Sequence, residues 1–209
     1  MTNMLSFRNL FVGAILLLCL SIAPAHAADG VKVERLSRAF PKAHPEKIEV
    51  IKFFSYACGG CNSFNPVFTK WAKSQPADVS FRRVPVAWDS RQWSNLSRLY
   101  YTLEALGELE RLDRAVFDAW HKERRNDLVT EKGAARWYVS KGGNEQKFLA
   151  AYKSFGVASK VSQAENLANG MGIDSVPTLV VEGQYRIQGG DFGAVLRAAD
   201  ELIERARKR

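Results

Sequence analysis

Two cysteines set two residues apart, Cys58-Gly59-Gly60-Cys61, stand between an apolar run of strand length and a run with helical periodicity. Nothing else in the chain constrains its fold as strongly. Glu49 to Tyr56 reads EVIKFFSY, the pattern of a strand buried on both faces in the middle of a sheet. After the cysteines, Phe64, Val67, Phe68 and Trp71 recur at helical spacing between Asn62 and Ser74. Pro66 lies inside that helix and predicts a kink, because proline supplies no N–H and its ring crowds the preceding turn. A strand that feeds a helix through a cysteine-bearing turn is a unit of α/β architecture.

The start of the chain reads as a targeting segment. Arg8 is the only charge before Asp29, and Leu10 to Leu20 is an apolar run too short to span a bilayer comfortably. Pro24 and the small–x–small Ala25-His26-Ala27 then mark a cleavage site. Residues 1–27 are predicted to be a signal peptide, with the mature chain starting near Ala28. Leu18 precedes Cys19, where a lipid-acceptor signal carries a small residue, so lipidation is not the favoured reading. Removal of the segment lowers the formal charge from +8 to +7 and leaves Cys58 and Cys61 as the only cysteines. One bridge across so small a loop removes little entropy from the unfolded chain. The pair is therefore expected to do chemistry rather than to staple a scaffold. The basic residues sit mainly on predicted helix faces such as Lys122 to Arg125 and in the tail Arg205 to Arg209, which reads as solvated surface, not a nucleic-acid site.

Beyond the first helix, Val79 to Trp88 reads as a second strand, and a short one is expected earlier, at Val31 to Val33. The chain then turns helical. Leu96, Leu99, Tyr100, Leu103 and Leu106 form one stripe, and Leu112, Val116, Ala119 and Trp120 another. Thr130 opens a helix that stops at Gly142-Gly143, and Asn144 caps one with the stripe Phe148, Ala151, Tyr152 and Phe155. A further helix is expected from about Lys160 to Ala168, stopped by Gly170. Thr178 to Val181, a turn at Glu182-Gly183 and Tyr185 to Ile187 form a hairpin, and Phe192 to Arg205 a closing helix. The expected division is an α/β core of residues 28–90 and 157–209 with a helical subdomain, 91–156, inserted into it.

The placement of the cysteines specifies their chemistry. The first N–H groups of a helix lack partners and its N-terminus carries partial positive charge. A thiolate at Cys58 would accept those groups, so its pKa should fall and it should be the exposed nucleophile. Cys61, one turn later, should face the core and act as the resolving thiol. Thiol–disulfide exchange needs neither metal nor cofactor, and none is expected. Zinc would require two further ligands, for which the mature chain offers only His44 and His121 besides acids, and His121, beside Lys122, Glu123 and Arg124, is expected to be exposed. A second element is Ser175-Val176-Pro177-Thr178, directly before a strand. A cis bond at Pro177 would present the Val176 backbone beside the cysteines, ready to pair with an extended peptide.

FFSYACGGCNSFNP, the helical block, SVPTLVVEG and the closing helix together resemble the DsbA family of periplasmic disulfide oxidases, over nearly the whole mature chain. The resemblance implies a thioredoxin-like fold, a dithiol oxidase activity on unfolded, newly exported polypeptides with free cysteines, and reoxidation by DsbB, a quinone-linked inner-membrane protein. It matches Cys58 to the nucleophile, Cys61 to the buried cysteine and Pro177, preceded by Val176, to the cis-proline. Two positions depart from the family pattern. Gly59 and Gly60 replace the usual Pro-His, which implies a less stabilised thiolate and a weaker oxidant. Lys52 stands where the family commonly buries a glutamate; charged, it would stabilise a thiolate, and neutral, it could accept the Cys61 proton. The alternative for Lys52 is a side chain that reaches solvent and touches neither sulfur.

Two rival functions remain on sequence grounds. A periplasmic dithiol reductase would use the same fold and cysteines. The short stretch between Ala28 and the first core strand leaves no room for the dimerisation domain of an isomerase, so a monomer is expected. A chaperone would use an exposed aromatic face, for which Trp88, Trp93, Phe117, Trp120 and Trp137 are candidates, although their helical spacing favours core packing.

Overall fold

The computed structural model describes residues 30–88 and 90–209. The proposed signal peptide and the mature start at Ala28 lie outside the described residues. Five strands, β1 (Lys32–Arg35), β2 (Ile48–Phe54), β3 (Val79–Pro85), β4 (Thr178–Val181) and β5 (Tyr185–Gln188), form one sheet among the described residues, in the order β1-β5-β4-β2-β3. β2 and β3 run parallel and the other pairs are antiparallel. β2 is paired on both sides, and Glu49 to Phe54 are all buried, as its apolar run requires.

The helices are α1 (Gly59–Ser74), α2 (Arg91–Ala105), α3 (Leu109–His121), α4 (Glu131–Ser140), α5 (Glu145–Tyr152), α6 (Phe155–Gly170) and α7 (Phe192–Arg207), with a 3₁₀ turn at Asn126–Val129. Side chains alternate across the sheet. Val50, Leu179, Val181 and Ile187 pack with Phe64 and Phe68 of α1 and Leu196 and Ile203 of α7. Ile51, Phe53 and Val180 join the larger cluster that contains the cores of α2 to α6. The architecture is a thioredoxin-like α/β fold with helices α2–α6 inserted between β3 and β4.

Local sequence explains most helix starts. Ser90, Thr130, Asn144, Ser154 and Asp191 each accept a hydrogen bond from a backbone N–H of the first turn they cap. Ser154 also explains one departure. Phe155 was expected in the stripe of α5, but it opens α6 and is 86% exposed. The helical block thus runs from Arg91 to Gly170, and the expected boundary at 156/157 falls inside α6, which packs on α2 and β3. Strand β3 ends at Pro85, short of Trp88: its partner β2 ends at Phe54, which accepts a last hydrogen bond from Val86 N at 2.8 Å, and Trp88 adopts φ 44°. In the β4–β5 hairpin Glu182 and Gly183 have φ 57° and 60°, the left-handed pair of a tight hairpin turn. A Cβ on Gly183 would lie 2.4 Å from the carbonyl oxygen of Phe40, so only glycine fits.

Helix α1 begins at Gly59, so the cysteines open it as expected, and it runs unbroken through Pro66. Proline leaves the Asn62 carbonyl without its helical donor. Arg114 of α3 supplies one, with Nη1 at 3.2 Å from that oxygen and Nη2 at 2.8 Å from Asn62 Oδ1. The inserted block is thereby pinned to the cysteine-bearing helix. The aromatic residues considered for an exposed face divide. Phe117 and Trp137 are fully buried, while Trp88, Trp93 and Trp120 are half-buried against the same core.

Candidate active site

Cys58 is the N-cap residue of α1, in extended conformation with φ −81° and ψ 119°. Its backbone N–H donates to Ser55 O at 3.2 Å, and its carbonyl accepts from Asn62 N at 3.0 Å. This turn places Cys58 Sγ where a capping oxygen would sit, and it accepts from Cys61 N at 3.0 Å. Cys58 is partly exposed and Cys61 is buried; the two sulfurs are unbridged.

The environment drives the two thiols apart. The Cys58 thiol is lowered to about 7, first by the hydrogen bond from the Cys61 side chain, against the opposing effect of burial, and further by the N–H groups of Cys61 and Gly60. The helix-terminus argument accounts for the backbone donors, but the Cys61 S–H is the larger contribution. Burial pushes the Cys61 thiol well above its ordinary value, and the neighbouring Cys58 sulfur adds to this. Lys52 acts in the opposite sense on Cys61. One thiol is thus available as an anion near neutral pH while the other is held as a proton donor to it.

The bond Val176–Pro177 is cis. Val176 O lies 3.4 Å from Cys58 Sγ, so the backbone before the proline flanks the exposed sulfur. The loop is tied at both ends, by Thr178 Oγ1 donating to Ser175 O at 2.7 Å and by Trp88 Nε1 donating to Ile173 O at 3.0 Å. Beside it is a trough of about 200 Å³ lined by Val176, Pro177, Gly189, Phe192 and Val195. At Gly60 a Cβ would sit 3.4 Å from Pro177 Cδ and 3.9 Å from Cys58 Sγ, while at Gly59 it would meet nothing within 4 Å.

Lys52 does not reach solvent. It is 2% exposed in the middle of β2, with Nζ 2.6 Å from Asn65 Oδ1 and 4.6 Å from the centre of the Phe68 ring. Burial lowers it to about 8, against the attraction of Asp113. Asn65 Nδ2 donates to Asp113 Oδ2 at 3.1 Å, Tyr56 OH donates to Asp113 Oδ1 at 2.8 Å, and Arg83 Nη1 is 2.9 Å from Asp113 Oδ2. Sequence reasoning did not single out Asn65, Arg83 or Asp113; an amide one turn after Cys61 was the only local signal. His121 also differs from expectation. It is half-buried, stacks on Phe117, and places Nε2 2.8 Å from Tyr56 O, behind the cysteine turn.

A family profile described as a DSBA-like thioredoxin domain matches residues 49–199. The chain belongs to the DsbA family. The thiol:disulfide interchange protein DsbA of Pseudomonas aeruginosa is 36% identical over 207 residues, covering 96% of this chain and 97% of that protein. The DsbA of Azotobacter vinelandii is 39% identical over 212 residues, covering 96% and 98%. Among solved structures, Pseudomonas aeruginosa DsbA has a TM-score of 0.80 at 36% identity, over 84% of this chain and 92% of that one. The oxidoreductase DsbA of Xylella fastidiosa also reaches 0.80, at 29% identity over 85% and 96%. Like its DsbA relatives, the protein is a thiol:disulfide interchange oxidoreductase, with its cysteine pair at the start of α1.

Proposed function

We propose that the protein donates a Cys58–Cys61 disulfide to newly exported polypeptides with free cysteines. A substrate thiolate attacks Cys58 Sγ, the Cys58–Cys61 bond breaks, and Cys61 leaves as a thiolate and is protonated. A second substrate thiolate then attacks the substrate sulfur of this mixed disulfide and releases Cys58 as a thiolate. The substrate loses two electrons and gains its disulfide; the enzyme gains the two electrons. The backbone at Val176 and Pro177 would hold the substrate extended beside Cys58, and Lys52 would tune the buried sulfur. The protein would work as a monomer in the periplasm, after removal of residues 1–27 near Ala27/Ala28. A DsbB-like quinone-linked membrane oxidase would reoxidise it.

The observation that carries this reading is a partly exposed Cys58 whose thiolate is stabilised to about 7. A stabilised thiolate is a good leaving group, so the reduced enzyme is favoured and the disulfide is readily given up. The test is equilibration of the purified protein with glutathione at pH 7, together with turnover of a reduced dithiol peptide. Donation predicts a pair that glutathione reduces readily and a peptide oxidised one-for-one. A pair that stays oxidised in excess glutathione would instead make the protein a reductase on the same fold.

The glycines between the cysteines offer a further check. Histidine at position 60 would place a cation beside the sulfur, and the space around Gly60 admits a side chain at ordinary contact distance. Gly60→His should lower the Cys58 titration below its present value near 7, by about one pH unit. Thiolate absorbance against pH reads this directly, and an unmoved curve would deny Gly60 any part in setting the thiolate.

A further inference from the structure

We infer that Asp113, carried into the core by α3 of the helical insertion, is a positioning residue for disulfide exchange: it holds the Lys52 ammonium oriented and charged behind Cys61. The inference rests on the roles proposed above for Cys58 and Cys61.

The geometry is a relay of fixed polarity. Lys52 is buried in the central strand, and its hydrogen-bond partner is Asn65 Oδ1 at 2.6 Å. An amide can present either end to a neighbour, and what decides its orientation is the partner of the other end. Here Asp113 Oδ2 accepts from Asn65 Nδ2 at 3.1 Å, which turns the amide oxygen toward the ammonium. Asp113 is itself fixed by Tyr56 OH at 2.8 Å and by Arg83 Nη1 at 2.9 Å.

The charges that face Lys52 come from several elements. Arg83 of β3 repels it, Asp113 of α3 attracts it, and Cys61 of α1 attracts it when ionised. The rings of Phe54 and Phe68 lie 5.3 and 4.6 Å from Nζ. Tyr56 and Tyr100 are held neutral, their titration pushed up by burial. Two cations, the buried Lys52 and the partly buried Arg83, therefore share the Asp113 carboxylate. Without it, Lys52 sheds its proton before Arg83 does, because guanidinium stays charged at any ordinary pH.

The consequence falls on the buried sulfur. Cys61 must carry negative charge whenever the Cys58–Cys61 bond breaks or forms, in a site where burial disfavours it. Lys52 counteracts that penalty. In the resolving direction, the Cys61 thiolate attacks Cys58 Sγ of a mixed disulfide with glutathione; the Cys58–Cys61 bond forms, the bond to glutathione breaks, and glutathione thiolate leaves. A neutral Lys52 makes that thiolate rarer.

The experiment uses the full mature protein, with labelled lysine to follow Lys52 by NMR, and the isolated Cys58–glutathione mixed disulfide to follow glutathione release against pH. Asp113→Asn keeps the shape and removes the charge. Lys52 should then titrate about one pH unit or more below its present value near 8, and between those two pH values release should slow about tenfold. In a Lys52→Met background, Asp113→Asn should change the release profile no further. Arg83→Gln should move the Lys52 titration upward, the opposite sign, and serves as the deciding variant if Asp113→Asn does not fold. A folded Asp113→Asn with Lys52 unmoved, slowing that persists in Lys52→Met, or a fall in Arg83→Gln overturns the inference. Failure of the underlying roles looks different: glutathione would be found by mass spectrometry on a residue other than Cys58, whatever Lys52 does.

Discussion

Serine at position 58 is expected to reduce disulfide exchange to the uncatalysed background while leaving the fold intact. Cys58 is the partly exposed sulfur, it caps α1, and its thiolate accepts the Cys61 N–H at 3.0 Å. A serine oxygen can make the same cap, so the helix start survives, but it cannot form a disulfide. Serine at position 61 should behave differently. The Cys58 thiolate can still attack a substrate disulfide and expel one substrate thiolate, but the resolving thiol is gone, so the mixed disulfide accumulates and can be isolated. Alkylation supplies the pH dependence. A thiol lowered from 9.0 to about 7 carries roughly fiftyfold more thiolate at pH 7 than an ordinary cysteine. Iodoacetamide should therefore modify Cys58 half-maximally near pH 7. The sign for stability follows from the same shift. The folded thiol is more acidic than the unfolded one, so its contribution to the reduced protein is complete above pH 9 and disappears as pH falls through 7. A Cys58→Ser protein that still oxidises a dithiol peptide, or alkylation centred near pH 9, would remove the basis for the proposed mechanism.

Truncating Phe117 should be the most damaging change outside the cysteines. This α3 side chain is fully buried, with its ring 4.8 Å from Tyr56 and 6.1 Å from Phe54. Both partners belong to the segment that leads from β2 into the cysteine turn, so Phe117 joins the insertion to the core at the base of the site. Phe117→Ala removes a large ring and leaves a cavity, at a cost of about 3–5 kcal/mol. Urea unfolding measures this directly. Phe155→Ala is the control: its ring is 86% exposed, and the change should stay within about 0.5 kcal/mol. A loss below about 1 kcal/mol for Phe117→Ala would mean that the insertion is not held to the core through this cluster.

Much of the site was legible because its determinants lie within a turn of one another. The apolar run of β2, the cysteines at the start of α1 and the proline before β4 are each local patterns, and each stands where its pattern placed it. The same holds for Thr130, Asn144 and the Glu182-Gly183 turn. The misplaced start of α6 shows the limit of periodicity. Phe155 fits the stripe of α5, and only the competing cap at Ser154 assigns it to the next helix.

By itself, then, the sequence determined the reactive pair, the order of the elements and the expected asymmetry between an outer and an inner thiol. These depend on spacing along the chain, which backbone geometry converts into position. Only the tertiary structure decided what surrounds Lys52. Its environment is assembled from Asn65 on the neighbouring helix, Arg83 on the adjacent strand and Asp113 on α3, which meets Asn65 across 48 positions of sequence. Charge in a buried site depends on which groups approach through space and how completely water is excluded. Neither is written in the order of residues, and both arise only when the insertion closes against the sheet.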